Sequence, residues 1–182
     1  MRSTTDRRFD ELYEHHFRDV LAYCQRRIPA ADAYDAANEV FTIAWRRLED
    51  VPAGEAARPW LFVVARRVVF RRRRSDRRFH RLIGRAKSLS VSGQPDPESV
   101  VVQRAEFELV LKAASHLSKE DREVLNLAAW EGLPHREIAD VMGCSITAVD
   151  QRLHRAKQRL AKHYQALQRS RAFPHAAGGE GS

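Results

Sequence analysis

Between Arg66 and Arg85 the chain carries ten arginines against a single acid, Asp76, a local charge of +9. The whole chain sums to +8, so everything outside this block is close to neutral. A block of that density attracts a polyanion by displacing condensed counterions, with nucleic acid the first candidate and an anionic membrane surface the second. A solvated charge run is the plain structural alternative. A second constellation lies in HREIADVMGCSITAVDQRLHRAKQRL, from His135. Small Ala139 precedes Gly143 by four residues and Val149 follows six later, among apolar Ile138, Val141 and Leu153. This is helix-turn-helix spacing: alanine lets two helices approach, glycine takes a turn that residues with a β-carbon resist, and Val149 packs the second helix. That helix would turn Thr147, Ala148, Asp150, Gln151, Arg152 and Arg155 toward a major groove, with Ser145 near its start. An ordinary helical hairpin has the same spacing, and Arg155, Lys157, Arg159 and Lys162 read equally as a solvated face.

Positioning these groups falls to helices. Phe9, Leu12, Tyr13, Phe17, Val20, Leu21 and Cys24 recur at steps of three and four, and the pattern stops near Pro29. Ala36, Ala37, Val40, Phe41, Ala44, Trp45 and Leu48 repeat it before Pro52, Gly54 and Pro59 punctuate a loop. Trp60, Leu61, Val64, Ala65 and Val68 form a third stripe with Pro59 at a first helical position, and its polar side runs into the arginine block. Residues 86–96 have linker composition. Asp96, Pro97 and Glu98 look like a cap, a first position and a dipole-complementing acid for a helix burying Val101, Ala105, Leu109 and Ala113. Ser118 opens another helix, with Val124, Leu125 and Ala128 inward, and Gly132 closes it before Pro134. Two short helical segments then follow, and residues 166–182 are expected to be a disordered tail. The fold class expected is all-α, in two small helical domains over residues 1–85 and 97–165.

Composition excludes several classes. Cys24 and Cys144 are the only cysteines and sit in separate helical patterns, so neither a disulfide framework nor a cysteine-rich metal site is expected. The eight histidines show no metal-ligand spacing, no glycine-rich phosphate loop is present, and no paired-carboxylate or nucleophile signature stands out. The expectation is a protein without metal or cofactor that is not an enzyme. The N-terminus lacks an apolar signal core and no run approaches a membrane span, pointing to a cytoplasmic protein without membrane insertion.

The segment EGLPHREIADVMGCSITAVDQRLHRAKQRL resembles region 4 of the extracytoplasmic-function (ECF, group IV) sigma factors of the sigma-70 superfamily, and LSKEDREVLNL from Leu117 resembles the start of that region. In the first half, DAANEVFTIAWRRL from Asp35 and PWLFVVARRVVFRRRR from Pro59 resemble region 2. The resemblance covers most of residues 9–164. It implies a transcription-initiation factor that directs core RNA polymerase to promoters. Region 2 would dock on the clamp helices of the β′ subunit and melt the minus-10 element, and region 4 would bind the β flap and the minus-35 element. Carried onto this chain, Asp35, Asn38, Glu39, Arg46 and Arg47 fall on the polymerase-docking helix, with Phe41 and Trp45 on its core side. Arg66, Arg67, Arg71, Arg72 and Arg74 fall over the minus-10 strand, where Trp60, Phe62 and Phe70 could stack on exposed bases. The loop from Asp50 to Arg58 corresponds to the segment that receives a flipped base. Ser145, Thr147, Ala148, Asp150, Gln151, Arg152 and Arg155 fall on the minus-35 helix. An anti-sigma factor is a further implied partner. Arg67, Arg71 and Asp150 depart from the family's usual Asn, Asp and Lys, which leaves promoter preference open. A stand-alone helix-turn-helix regulator, binding palindromic DNA without polymerase, and a degenerate paralogue that sequesters partners are the alternatives.

Overall fold

The structure, a computed structural model, describes residues 4–83 and 99–172. The expected linker, the capping residues Asp96, Pro97 and Glu98, and the tail beyond residue 172 lie outside them, as does the Val101 side chain. Among the described residues there are seven α-helices and two 3-10 turns, and no strand. They fall into two compact units: α1 to α3 and the segment Arg136–Cys144 belong to the first, and the flanking helices of the second half to the other.

α1 (Thr4–Gln25) and α2 (Ala30–Arg46) pack on one another and on α3 (Ala57–Ile83). Four alanines of α2, Ala33, Ala36, Ala37 and Ala44, are buried to zero exposure, which lets the neighbouring helices approach its backbone closely. α1 ends where the Arg27 and Ile28 amides both donate to the Cys24 carbonyl at 2.9 Å, and Pro29 cannot extend the ladder. Arg27 is buried at this corner with its guanidinium 3.5 Å from the Tyr23 ring centre and its Nη1 donating to the Tyr23 carbonyl at 3.0 Å. Fully buried Phe62 of α3 stacks on Tyr23 at 5.2 Å, and a second aromatic cluster joins Phe9, Tyr13, Phe17 and Phe41. α3 begins at Ala57, two residues before the expected start. Pro59 therefore lies in the first helical turn, where amide hydrogens have no intrahelical partner.

The second unit is built on α4 (Ser99–Ser115), α5 (Lys119–Ala129) and α7 (Ile146–Ala172), with α7 packed on both of the others. Ser118 caps α5, its hydroxyl accepting from the Asp121 amide at 3.1 Å. Ala113, Leu117, Val124, Leu127, Leu133, Val149, Leu153 and Ala156 are its buried apolar residues. Leu125 and Ala128, expected inward, are only half-buried, and Leu127, absent from the expected stripe, takes the core position. At the end of α5 the Leu133 amide donates to the Leu127 carbonyl at 3.0 Å around Gly132, whose φ is +62°. α6 (His135–Met142) is short as expected, but α7 is not: it continues unbroken for 27 residues, so residues 166–172 are helical and not part of a disordered tail. Its last turns contain no proline or glycine, and Leu167 keeps an apolar position half-buried.

Candidate nucleic-acid interface

On α3, the helical spacing sorts the arginine block into two populations. Arg67, Phe70, Arg71 and Arg74 recur at three- and four-residue steps and are all exposed, Phe70 by half of its surface. Arg66 is half-buried, its guanidinium 5.8 Å from the Phe70 ring centre. Arg71 and Arg72 reach back to α2 and share Glu39, Arg72 at 3.2 Å. The structure thereby brings a residue expected to face polymerase together with two expected to face DNA. Two expectations need correction. Phe62 has no exposed surface and is a core residue, because its face of α3 lies under Tyr23, so it cannot stack on a base. Trp45, expected on the core side, stands in the last turn of α2 and is 44% exposed, covered on one side by Phe9 of α1, packed edge-on at 4.9 Å. Trp60 is half-buried.

Asp35 and Arg46 of α2 are exposed and Asn38 and Glu39 half-buried, while Arg47, expected on this helix, is the exposed residue that caps its end, its backbone already turned out of the helical conformation. Positions 35, 38, 39, 42 and 46 share one side, and the Thr42 hydroxyl donates to the Asn38 carbonyl at 2.9 Å. The loop that follows is pinned. Leu48 and Val51 are buried, Arg47 Nε donates to Asp50 at 2.8 Å, and Arg8 Nη2 donates to the Val51 carbonyl at 2.5 Å. A cleft of about 300 Å³ opens between this loop and α1, lined by Pro52 to Glu55 on one side and by Arg8, Glu11, His15 and His16 on the other. Burial lowers the His16 pKa from its usual value, with Asp19 opposing, so the ring is held toward its neutral form, able both to donate and to accept. None of the four α1 residues was singled out by sequence reasoning. Their polar side interrupts an otherwise ordinary amphipathic helix, and only the fold brings the loop over it.

In the second half, α6 closes on Gly143 at φ +66°, with the Cys144 amide donating to the Ala139 carbonyl at 3.0 Å. Ser145 opens α7, its hydroxyl accepting from the Ala148 amide at 3.2 Å. Helix, tight turn and helix thus follow at the expected positions, with Ala139 and Val149 both buried. Thr147, Asp150, Gln151 and Arg155 are exposed, Ala148 and Arg152 half-buried. His154, not singled out from the sequence, is exposed between Gln151 and Arg155, its Nε2 2.9 Å from Gln158. Arg159, more than half exposed, is also paired with the buried Asp121 carboxylate at 2.5 Å.

Residues 12–79 match the family Sigma-70 region 2, and residues 107–160 match Sigma-70, region 4. The RNA polymerase sigma factor NccH of Alcaligenes xylosoxydans xylosoxydans is 32% identical over 170 residues, covering 88% of each chain. The chain belongs to the sigma-70 family of RNA polymerase sigma factors. Its members direct core RNA polymerase to promoters, and α2 and most of α3 fall within the region 2 match while α5, α6 and the first half of α7 fall within the region 4 match. The ECF sigma factor SigL of Mycobacterium tuberculosis is 32% identical over 160 residues, covering 86% of this chain and 88% of its own. Among solved structures, CnrH in complex with the cytosolic domain of CnrY aligns with a TM-score of 0.60 at 26% identity, over 87% of this sigma factor and 88% of CnrH. The sigma factor RpoE of Bartonella quintana, solved with the anti-sigma factor NepR, shares the fold at a TM-score of 0.68 and 20% identity, over 86% and 96% of the two chains.

Proposed function

We propose that this sigma factor is of the extracytoplasmic-function group, acts in the cytoplasm and has no catalytic activity of its own. Region 2, residues 1–85, presents Asp35, Asn38, Glu39 and Arg46 of α2, and Arg47 at its end, to the β′ clamp helices. Arg66, Arg67, Arg71, Arg72 and Arg74, with Phe70 and Trp60, hold the minus-10 strand, and the cleft beside Pro52 to Glu55 receives a base turned out of the duplex. Region 4, residues 97–165, binds the β flap and reads the minus-35 element with Ser145, Thr147, Ala148, Asp150, Gln151, Arg152 and Arg155. The observation that carries this reading is the exposed stripe Arg67, Phe70, Arg71 and Arg74, in which guanidinium groups flank an exposed ring at helical spacing. An opened strand needs that combination, since phosphates are neutralised by arginine while the unstacked base regains part of its lost stacking on the ring. The cleft's volume of about 300 Å³ lies at the small end of ligand pockets and suits one base better than a larger ligand. Among the described residues no helix is long and apolar enough to cross a membrane.

An anti-sigma protein that covers the α2 face is the second proposed partner, by likeness to CnrH, which was solved with the cytosolic domain of CnrY. Run-off transcription from a genomic promoter library, with core polymerase and with or without the protein, tests the function. Starts that depend on the protein and share minus-10 and minus-35 elements are expected. Polymerase binding without any new start would point instead to a sequestering paralogue or a missing activator, and no polymerase binding to a stand-alone DNA-binding regulator.

A further inference from the structure

Asp150 is an acid on the DNA-facing turn of a basic helix. Its neighbours on α7 at three and four residues are Ile146, Thr147, Leu153 and His154, none a standing cation, and His154 faces Gln158. Its partner comes from outside that helix. His135, immediately after Pro134, places Nδ1 2.5 Å from Asp150 Oδ1, and both side chains remain about half exposed. An ionised carboxylate only accepts, so the Nδ1–H of His135 donates. One carboxylate oxygen is thereby tied to the residue that opens α6, and Oδ2 remains available as an acceptor on a half-exposed side chain.

We infer that His135 is a positioning residue that aims the Asp150 carboxylate at a base edge, making this sigma factor select a cytosine at one position of the minus-35 element. This rests on the proposed minus-35 role of α7. In the major groove cytosine presents its N4 amino group as a donor and guanine and thymine present acceptors at that edge, so a carboxylate accepts from the first and is repelled by the others. A carboxylate free to rotate would discriminate weakly, and holding it in advance removes the ordering cost at binding. An ion pair that merely joins two helix ends would stabilise the fold without touching base preference.

The test is run-off transcription by holoenzyme containing the full chain on promoters randomised across the minus-35 element, with thermal melts of each variant alongside. The wild type should favour cytosine at one position by roughly tenfold over guanine or thymine. Asp150→Asn, whose amide pairs with adenine, should move that preference to adenine. His135→Phe, which keeps the ring and loses the donor, should flatten it to within about twofold at that position alone. His135→Asn, which restores a donor near Nδ1, should recover it. Identical base profiles for wild type and Asp150→Asn, or an undiminished cytosine preference in His135→Phe, would overturn the inference while leaving the sigma function standing. Protein-dependent starts that show no minus-35 preference for the wild type would overturn the inference and the minus-35 role together.

Discussion

Phe62 and Phe70 stand two turns apart on α3 and do opposite things. Phe62 is wholly enclosed and stacked on Tyr23, while half of Phe70 faces solvent beneath Arg66. Phe62→Ala should therefore destabilise the first unit by about 3–5 kcal/mol, measured by urea unfolding, whereas Phe70→Ala should change stability by less than about 0.5 kcal/mol and weaken binding of holoenzyme to pre-melted promoter DNA. A marginal stability loss in Phe62→Ala would contradict its place in the core. On α7 the same separation applies between charge and base reading. Arg155→Ala should make the log-log salt dependence of promoter binding shallower by about one, the signature of one lost phosphate contact. Gln151→Ala should cost about 1–3 kcal/mol at a single base position and leave other sequences unaffected. An unaltered salt slope, or a uniform loss across sequences, would remove the respective residue from its role.

The helices owe their limits to short-range chemistry that can be written down in advance. Ser118 is a case: its hydroxyl satisfies the Asp121 amide, and Asp121 in turn anchors Arg159 from α7. Ser118→Ala should lower the stability of the second unit by about 1 kcal/mol, visible as a lower midpoint in thermal unfolding followed by circular dichroism, and a midpoint unmoved by the change would deny the cap its role. The helical class, the turns at Gly132 and Gly143, the break at Pro29 and the helix-turn-helix order were all legible, because a proline, a capping hydroxyl or a positive-φ glycine acts within a few residues of itself. What was not legible depends on which side of a helix its neighbours cover. Phe62 and Phe70 are both aromatic residues within an arginine-rich helix, and what distinguishes them is tertiary packing, which sets Tyr23 against the first and leaves half of the second in solvent. The cleft lined by Arg8, Glu11, His15 and His16 and the link from Glu39 to Arg71 and Arg72 join segments tens of residues apart, for which a single sequence has no periodic signal. The full length of α7 was missed for another reason: its last turns are polar nearly all round, and a polar helix has no stripe to count.

Taken whole, the chain concentrates its +8 charge in one block and keeps two thiols in different surroundings. Cys24 has no exposed surface, and burial pushes its pKa up to about 11, although Arg27 and Arg72 pull the other way. Cys144 is half-buried. Alkylation of the native protein at about pH 8 should thus modify Cys144 first, with Cys24 reacting only once denaturant is added; mass spectrometry of a brief iodoacetamide pulse checks this, and rapid native labelling of Cys24 would contradict its enclosure. The raised thiol also has a stability consequence. In the unfolded chain the proton leaves near the ordinary value of 9.0, in the folded chain only near 11, so the stabilisation from Cys24 is full below the first value and is lost as pH rises through the second. The length of α7 carries a different implication. Its 27 residues span about 40 Å, and Arg171 lies about 30 Å along the axis from Gln151. A tilt of about 10° at the end that seats in the groove would then swing the far end through about 5 Å. A dye attached at Ser170 would turn correct and incorrect seating on DNA into a measurable displacement, well away from the bases themselves, so the rear of this helix can serve as a mechanical pointer to what its front has found.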